Sequence, residues 1–237
     1  MRAIVKRELQ GYFYTPVGYV YLGVFLAIAS LIFLVNNVFT RSTELSGFIS
    51  MLSYVWMLLA PILVMRLLAG ERKQMTDQLL VSAPLRTWQI VVGKYLAACL
   101  LLCLGIVLSL AFPLLLAIRG RVFWGEVFAA YLGFLLQGCA FIAIDLLISS
   151  ATRNPASAAA LTFGGNLMLW LSSLAASSAN PGIARNLLGV INLYDRLTPF
   201  LYGQLSFANM VYFVAISAAC VAICAQVLAA RHRGVAT

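Results

Sequence analysis

Six stretches of this chain run apolar for long enough to cross a bilayer, and most of its charged positions fall between them. A hydrocarbon core about 30 Å thick takes roughly 20 residues of helix. Residues 17–39, 95–118, 155–176 and 207–230 carry no charge, 48–69 is interrupted only at Arg66, and 127–151 only at Asp145. The runs are continuously apolar and do not alternate with period two, so they predict transmembrane helices and argue against the strands of a membrane barrel.

The polar segments have patterns of their own. In residues 1–16, Ile4, Val5, Leu9, Tyr12 and Phe13 share one helical face while Arg2, Lys6, Arg7 and Gln10 share the other, which predicts an amphipathic helix lying in the membrane interface. Pro16 then suits a sharp bend, with Thr15 pushed toward an extended conformation. The result is an elbow leading into the first span, or a plain lipid-facing anchor. Residues 70–94 form a polar, basic stretch with its own Leu79-Leu80 pair and a stop at Pro84. Between the last two spans, in 177–206, Ile183, Leu187, Ile191, Tyr194 and Leu197 recur at helical spacing. Arg185, Asn186, Asn192, Asp195 and Arg196 point away from them, between an Asn180-Pro181-Gly182 turn and Pro199. Short helices half sunk in the outer interface are expected there, either gating a path or capping the bundle.

Composition agrees: 63% of the residues are hydrophobic and 10% charged, which no soluble domain of 237 residues sustains. The net charge of +9 does not point to nucleic acid, because the basic residues sit at the ends of apolar runs and not on one face. They report orientation. Eleven Lys and Arg, at positions 2–7, 66–94, 153 and 231–233, flank one side, against Arg41, Arg119, Arg121, Arg185 and Arg196 on the other. Both termini and the 70–94 stretch are therefore expected in the cytoplasm. Ala27-Ile28-Ala29 resembles a signal cleavage site, but the apolar run continues ten residues beyond it, so the first span is expected to be retained.

Candidate chemistry is sparse. No G-x-x-x-x-G-K-[ST] is present, since Gly93-Lys94 is followed by Tyr95, and neither H-E-x-x-H nor G-x-S-x-G occurs. Cys99 and Cys103, like Cys220 and Cys224, are four apart on one helix face and Cys139 stands alone; the only histidine is His232, so packing explains the thiols better than metal ligation. Asp145 is the one ionisable residue well inside a span, and such residues are functional suspects. It precedes Arg153 by eight residues, which places it toward the cytoplasmic end, where Lys94, Arg66 or water are expected to meet it. The fifth span opens with Asn154-Pro155-Ala156-Ser157-Ala158-Ala159-Ala160 and continues through Gly164-Gly165-Asn166, small residues that suit close helix contact at a subunit interface, a conduit wall or within the bundle.

Arg7-Glu8-Leu9 with Tyr12-Phe13, Thr15-Pro16 and Tyr19-Val20 make one motif; Met65-Arg66-Leu67-Leu68-Ala69 with Glu71-Arg72-Lys73-Gln74, Thr76, Leu79-Leu80 and Pro84 make a second. With Gly93-Lys94 and Ser149-Ser150 to Arg153-Asn154, the chain resembles the permease subunit of ABC-2 type transporters, in particular the gliding-motility-type branch. It departs from that pattern at Gly70, at Met75 and at Thr76-Asp77-Gln78. The implied fold is an all-α membrane protein over residues 1–237. It has six transmembrane helices, the N-terminal interfacial helix, a cytoplasmic coupling helix in 70–94 and short extracytoplasmic helices. The resemblance implies that Glu71, Arg72, Lys73, Thr76, Leu79 and Leu80, closed by Pro84, face a separate ATP-binding-cassette ATPase, and that Glu8, Tyr12, Phe13 and Pro16 build the elbow. It further implies that this chain binds no cofactor, ATP and Mg2+ belonging to the partner ATPase. The expected partners are that ATPase, a second permease copy, the lipid bilayer and a separate extracytoplasmic accessory protein, with no nucleic acid. The expected location is the bacterial inner membrane. A self-contained six-span carrier or channel is the alternative reading.

Overall fold

The computed structural model of the protein describes residues 2–14, 16–65, 67, 87–152, 154–178 and 192–235. All regular structure among these residues is helical. A short helix, α1 (Arg2–Tyr14), leads into α2 (Pro16–Phe33), which continues as a π-helical turn over Leu34–Phe39. Then come α3 (Ser46–Met65), α4 (Thr87–Ser109), α5 (Ala111–Arg119), α6 (Trp124–Ser150), α7 (Pro155–Ser178), the one-turn α8 (Thr198–Leu201) and α9 (Phe207–Val235). Among the described residues six segments are long and apolar enough to span a membrane: α2 with its π turn, α3, α4 with α5, α6, α7 and α9.

Helix α6 is the hub, packing against α3, α4, α7, α8 and α9. Its span is 67% buried, against 17% for α7, which touches only α3 and α6 in strength and forms the edge of the bundle. Burial on every side requires small residues, and α6 supplies Ala129, Ala130, Gly133, Gly138, Ala140 and Ala143, all buried. Trp56 of α3 lies against this surface, 1% exposed, its Nε1 donating to Gly138 O at 3.4 Å. Tyr21, Phe25 and Phe134 meet its ring edge to face.

Two prolines set the register of polar side chains inside this apolar body. A helical proline lacks an N–H and leaves the carbonyl four residues earlier without its partner. Pro61 frees Met57 O, which accepts instead from Asn166 Nδ2 of α7 at 3.2 Å. Pro113 frees Ser109 O, which accepts from Tyr131 Oη of α6 at 3.0 Å. In lipid an unsatisfied carbonyl has no water to fall back on, so each proline demands a polar donor on the neighbouring helix. Pro113 also divides the run expected as one helix over 95–118, which breaks at Leu110. At its other end this span begins at Thr87, eight residues before the expected boundary at 95.

Residues 192–206 close the end of the bundle opposite α1. Leu193, Tyr194, Leu197 and Phe200 are buried, and Tyr194 stacks on Tyr54 of α3 with centroids 4.9 Å apart and donates its hydroxyl to Met57 Sδ at 2.9 Å. Asn192, expected on the polar face, is fully buried. Its Oδ1 accepts from the amides of Tyr194 and Asp195 at 3.1 and 3.2 Å and its Nδ2 donates to Asp195 Oδ2 at 2.5 Å, so it holds the turn from inside. Arg196 lies 3.8 Å over the Tyr212 ring and donates to Asn209 Oδ1 at 3.3 Å, tying the segment to α9. These contacts tie the described part of the segment to α3 and α9. Ile183, Arg185, Asn186, Leu187 and Ile191 lie outside the described residues.

Removing the hydroxyl in Tyr131→Phe strands Ser109 O and is expected to cost about 1 kcal/mol. The loss should shrink in a Pro113→Ala background, where the restored amide reaches the same carbonyl. Thermal unfolding of the four proteins of this cycle in detergent measures the coupling, and additive losses would refute the proline account.

Candidate functional site

The polar stretch between α3 and α4 is where the sequence concentrates its chemistry, and the structure describes both of its ends. Leu67 and the last turn of α3 stand on one side, the first two turns of α4 on the other. Helix α1 lies against both.

The approach of α1 is set by the turn into α2. Pro16 opens α2 with a dihedral already suited to a first helical position. Gly18 follows, where a Cβ would stand 2.6 Å from Tyr12 O, so the backbone of α1 runs too close for any side chain. Folded back in this way, α1 presents one side to the bundle. Ile4 and Ile90 bury each other, and a Cβ on Gly93 would stand 2.8 Å from Ile4 Cγ2, so α4 admits α1 only with glycine there. One turn along, Glu8 Oε1 meets Lys94 Nζ at 3.0 Å. Another turn along, Tyr12 Oη donates to Leu63 O at 3.1 Å. Lys94 Nζ also donates to Leu67 O at 2.5 Å, so one ammonium joins α1, α4 and the residues just past α3.

The physical logic is that of a helix C-terminus and a buried cation. The carbonyls of Leu63 and Leu67, at and just past the end of α3, accept from Tyr12 and Lys94, and a cation is favoured beside a helix C-terminus. Lys94 is 1% exposed and Glu8 14%, and a lysine at such burial is tolerable only when paired and hydrogen-bonded. The three contacts fix α1 to the two helices that bracket residues 68–86.

Of the expected site residues, Glu8 and Tyr12 are in this clamp, Pro16 opens α2, and Phe13 packs edge to face on Tyr19 at 5.6 Å. The amphipathic pattern of α1 holds on its polar side, where Lys6, Arg7 and Gln10 are exposed. On its other side Ile4 and Tyr12 are buried against the bundle. Glu71, Arg72, Lys73, Thr76, Leu79, Leu80 and Pro84 lie outside the described residues. Asp145 is fully buried, and Lys94 does not pair with it, being engaged with Glu8. A span read from the absence of charge begins after Lys94 and leaves it at the end of a loop. The apolar Ile90, Val91 and Val92 immediately before it were the signal that the helix had already started.

The family model described as ABC-2 family transporter protein matches residues 28–231, most of the chain. No curated protein matches it. The chain belongs to the ABC-2 transporter family: it is a multi-pass membrane protein and a permease component carrying no ATPase motif of its own.

Replacing Lys94 by methionine leaves Glu8 without its cation and Leu67 O without that donor. We expect a loss of about 3 kcal/mol, the scale for breaking a buried pair from one side. Glu8→Gln should cost less, since Glu8 is partly exposed and its amide still accepts. Apparent unfolding midpoints of the two variants in nanodiscs test this, and equal or negligible shifts would contradict it.

Proposed function

We propose that this ABC-2 permease couples ATP hydrolysis by a separate ATPase subunit to export, or to conformational work on a partner, across the bacterial inner membrane. Residues 70–86 dock in the ATPase, with Arg72 and Lys73 setting orientation and Leu79 and Leu80 entering an apolar cleft. The observation that carries this reading is the clamp: α1 grips Leu63 before the segment and Ile90, Gly93 and Lys94 after it, and Lys94 in turn holds Leu67 O. A push delivered to such a segment reaches α3 and α4 as one body and passes to α6, against which both pack. Both termini and the clamp then face the cytoplasm, as the distribution of Lys and Arg favours.

A second permease copy completes the path. Support comes from α7, whose Ala156, Ser157, Ala160 and Leu161 are exposed and whose Gly164 has nothing within 4 Å of a Cβ built on it. Assignment to the gliding-motility-type branch rests on the motifs in residues 7–20 and 65–84. ATP and Mg2+ reside in the ATPase partner, and an extracytoplasmic accessory protein would be a further separate chain.

Reversing Arg72 and Lys73 to glutamate is expected to lose the ATPase on affinity purification from native membranes while leaving the protein inserted at its normal level. Retention of the ATPase at the wild-type ratio would overturn the docking assignment. Recovery of the wild-type chain alone, monodisperse and without ATP hydrolysis, would favour the self-contained carrier.

A further inference from the structure

Helix α7 runs unbroken from Pro155 to Ser178 through a pair of glycines at its middle, Gly164 and Gly165. A glycine inside a helix is destabilising relative to alanine, so the pair calls for a reason. Gly165 has one in packing, since a Cβ there would stand 2.7 Å from Ile148 Cδ1 of α6. Gly164 has none within this chain, since a Cβ built on it meets nothing within 4 Å. Just before the pair, Thr162 turns its hydroxyl onto the helix's own carbonyls, donating to Ala158 O at 2.8 Å and Ala159 O at 3.0 Å. Such back-bonding slightly destabilises and often bends a helix. Softening residues are thus gathered at positions 162, 164 and 165 of one span.

The two sides of this point are held differently. Immediately after it, Asn166 is 1% exposed and donates to Met57 O of α3 at 3.2 Å, the carbonyl freed by Pro61. Leu167, Leu169 and Trp170 then pack on the core, Trp170 edge to face with Tyr54 of α3 at 6.5 Å. Before it, the buried side chains are the small Ala158 and Thr162, while Ala156, Ser157, Ala160, Leu161 and Phe163 are exposed. Helices in lipid hold together by packing and by hydrogen bonds between them, so the first half of α7 is the more weakly held. Successive spans alternate in direction, which puts that half at the end of the bundle where α1 forms the clamp.

We propose that residues 155–163 are a flap, hinged at Gly164-Gly165 and anchored beyond the hinge by Asn166 on Met57 O. Swinging outward, the flap opens the seam between α6 and α7 from Ile148 toward the clamp end, while Asn166 and Trp170 keep the rest of α7 on α3. The hinge is a property of this chain's own packing and does not rest on the ATPase partner. A second copy seated on α7 would give Gly164 another reason, close contact between subunits, and the test separates the two.

The test uses the full chain in nanodiscs and follows amide hydrogen exchange along α7 by mass spectrometry, corrected for intrinsic rates. In an unbroken span protection is greatest at mid-bilayer, where water is scarcest. The hinge predicts the reverse, a local maximum of exchange at the amides of residues 165–168, whose helical acceptors lie four residues back across the pair. Gly164→Ala, whose methyl group enters open space, should slow exchange there about fivefold, the helix preference of alanine over glycine expressed as an equilibrium, with the oligomeric state unchanged in native mass spectrometry. Asn166→Ala should release the anchor and spread fast exchange into residues 169–174. Greatest protection at 165–168, or a profile indifferent to Gly164→Ala, overturns the hinge, and an Asn166→Ala profile identical to wild type overturns the anchor. A Gly164→Ala chain that changes its oligomeric state with exchange unaltered also overturns the proposal, assigning the glycine to a subunit contact.

Discussion

Lys94 is the constraint on which the working end of this molecule depends. An ammonium buried to 1% exposure must be surrounded by acceptors, and the acceptors it finds come from different elements: the Glu8 carboxylate of α1 and the Leu67 carbonyl beyond α3. Satisfying one charge therefore fixes three pieces of chain relative to one another. Gly18 and Gly93 remove the side chains that would keep α1 away, and Tyr12 adds a second hydrogen bond to the end of α3. What results is a rigid frame around a polar segment, the arrangement expected where a force enters a membrane bundle.

The same rule, that no buried polar group goes unmet in lipid, organises the rest of the bundle. Pro61 and Pro113 each free a carbonyl, and Asn166 and Tyr131 are the donors that answer them. Asn192 satisfies the turn that carries Tyr194 onto α3. The pattern is not complete: both Asp145 oxygens, Tyr21 Oη, Asn37 Oδ1 and Gln137 Nε2 are buried without a hydrogen-bond partner.

The spans were legible because length and absence of charge are direct consequences of bilayer thickness, and each of the six expected runs coincides with helix over its described residues, the third broken at Leu110. Their ends were less legible. A charge-free criterion starts the third span after Lys94, while the helix begins at Thr87 and takes the lysine inside, because its partners lie on α1 and past α3, remote in sequence. Periodicity set Asn192 with the polar face, yet side-chain hydrogen bonds to its own turn bury it. The prolines announced breaks in the hydrogen-bond ladder, but which residues would answer them depends on tertiary neighbours. Glu8 and Tyr12 were singled out through a family likeness, and their geometry gives the physical reason: one pairs Lys94, the other caps α3.

The most direct measurement is a disulfide across the clamp. A Cβ built on Gly93 stands 3.1 Å from Ile4 Cβ, so a shift of a few tenths of an ångström reaches the about 3.5 Å of a disulfide, and Ile4→Cys with Gly93→Cys joins α1 to α4 on oxidation. With the ATPase partner present in proteoliposomes, ATP hydrolysis is compared before oxidation, after it and after reduction, with Ile4→Cys alone as the control. If α1 and α4 move as one body, hydrolysis is unchanged by the cross-link. Hydrolysis that stops on oxidation and returns on reduction would show that α1 must part from α4 during the cycle, and would contradict the account.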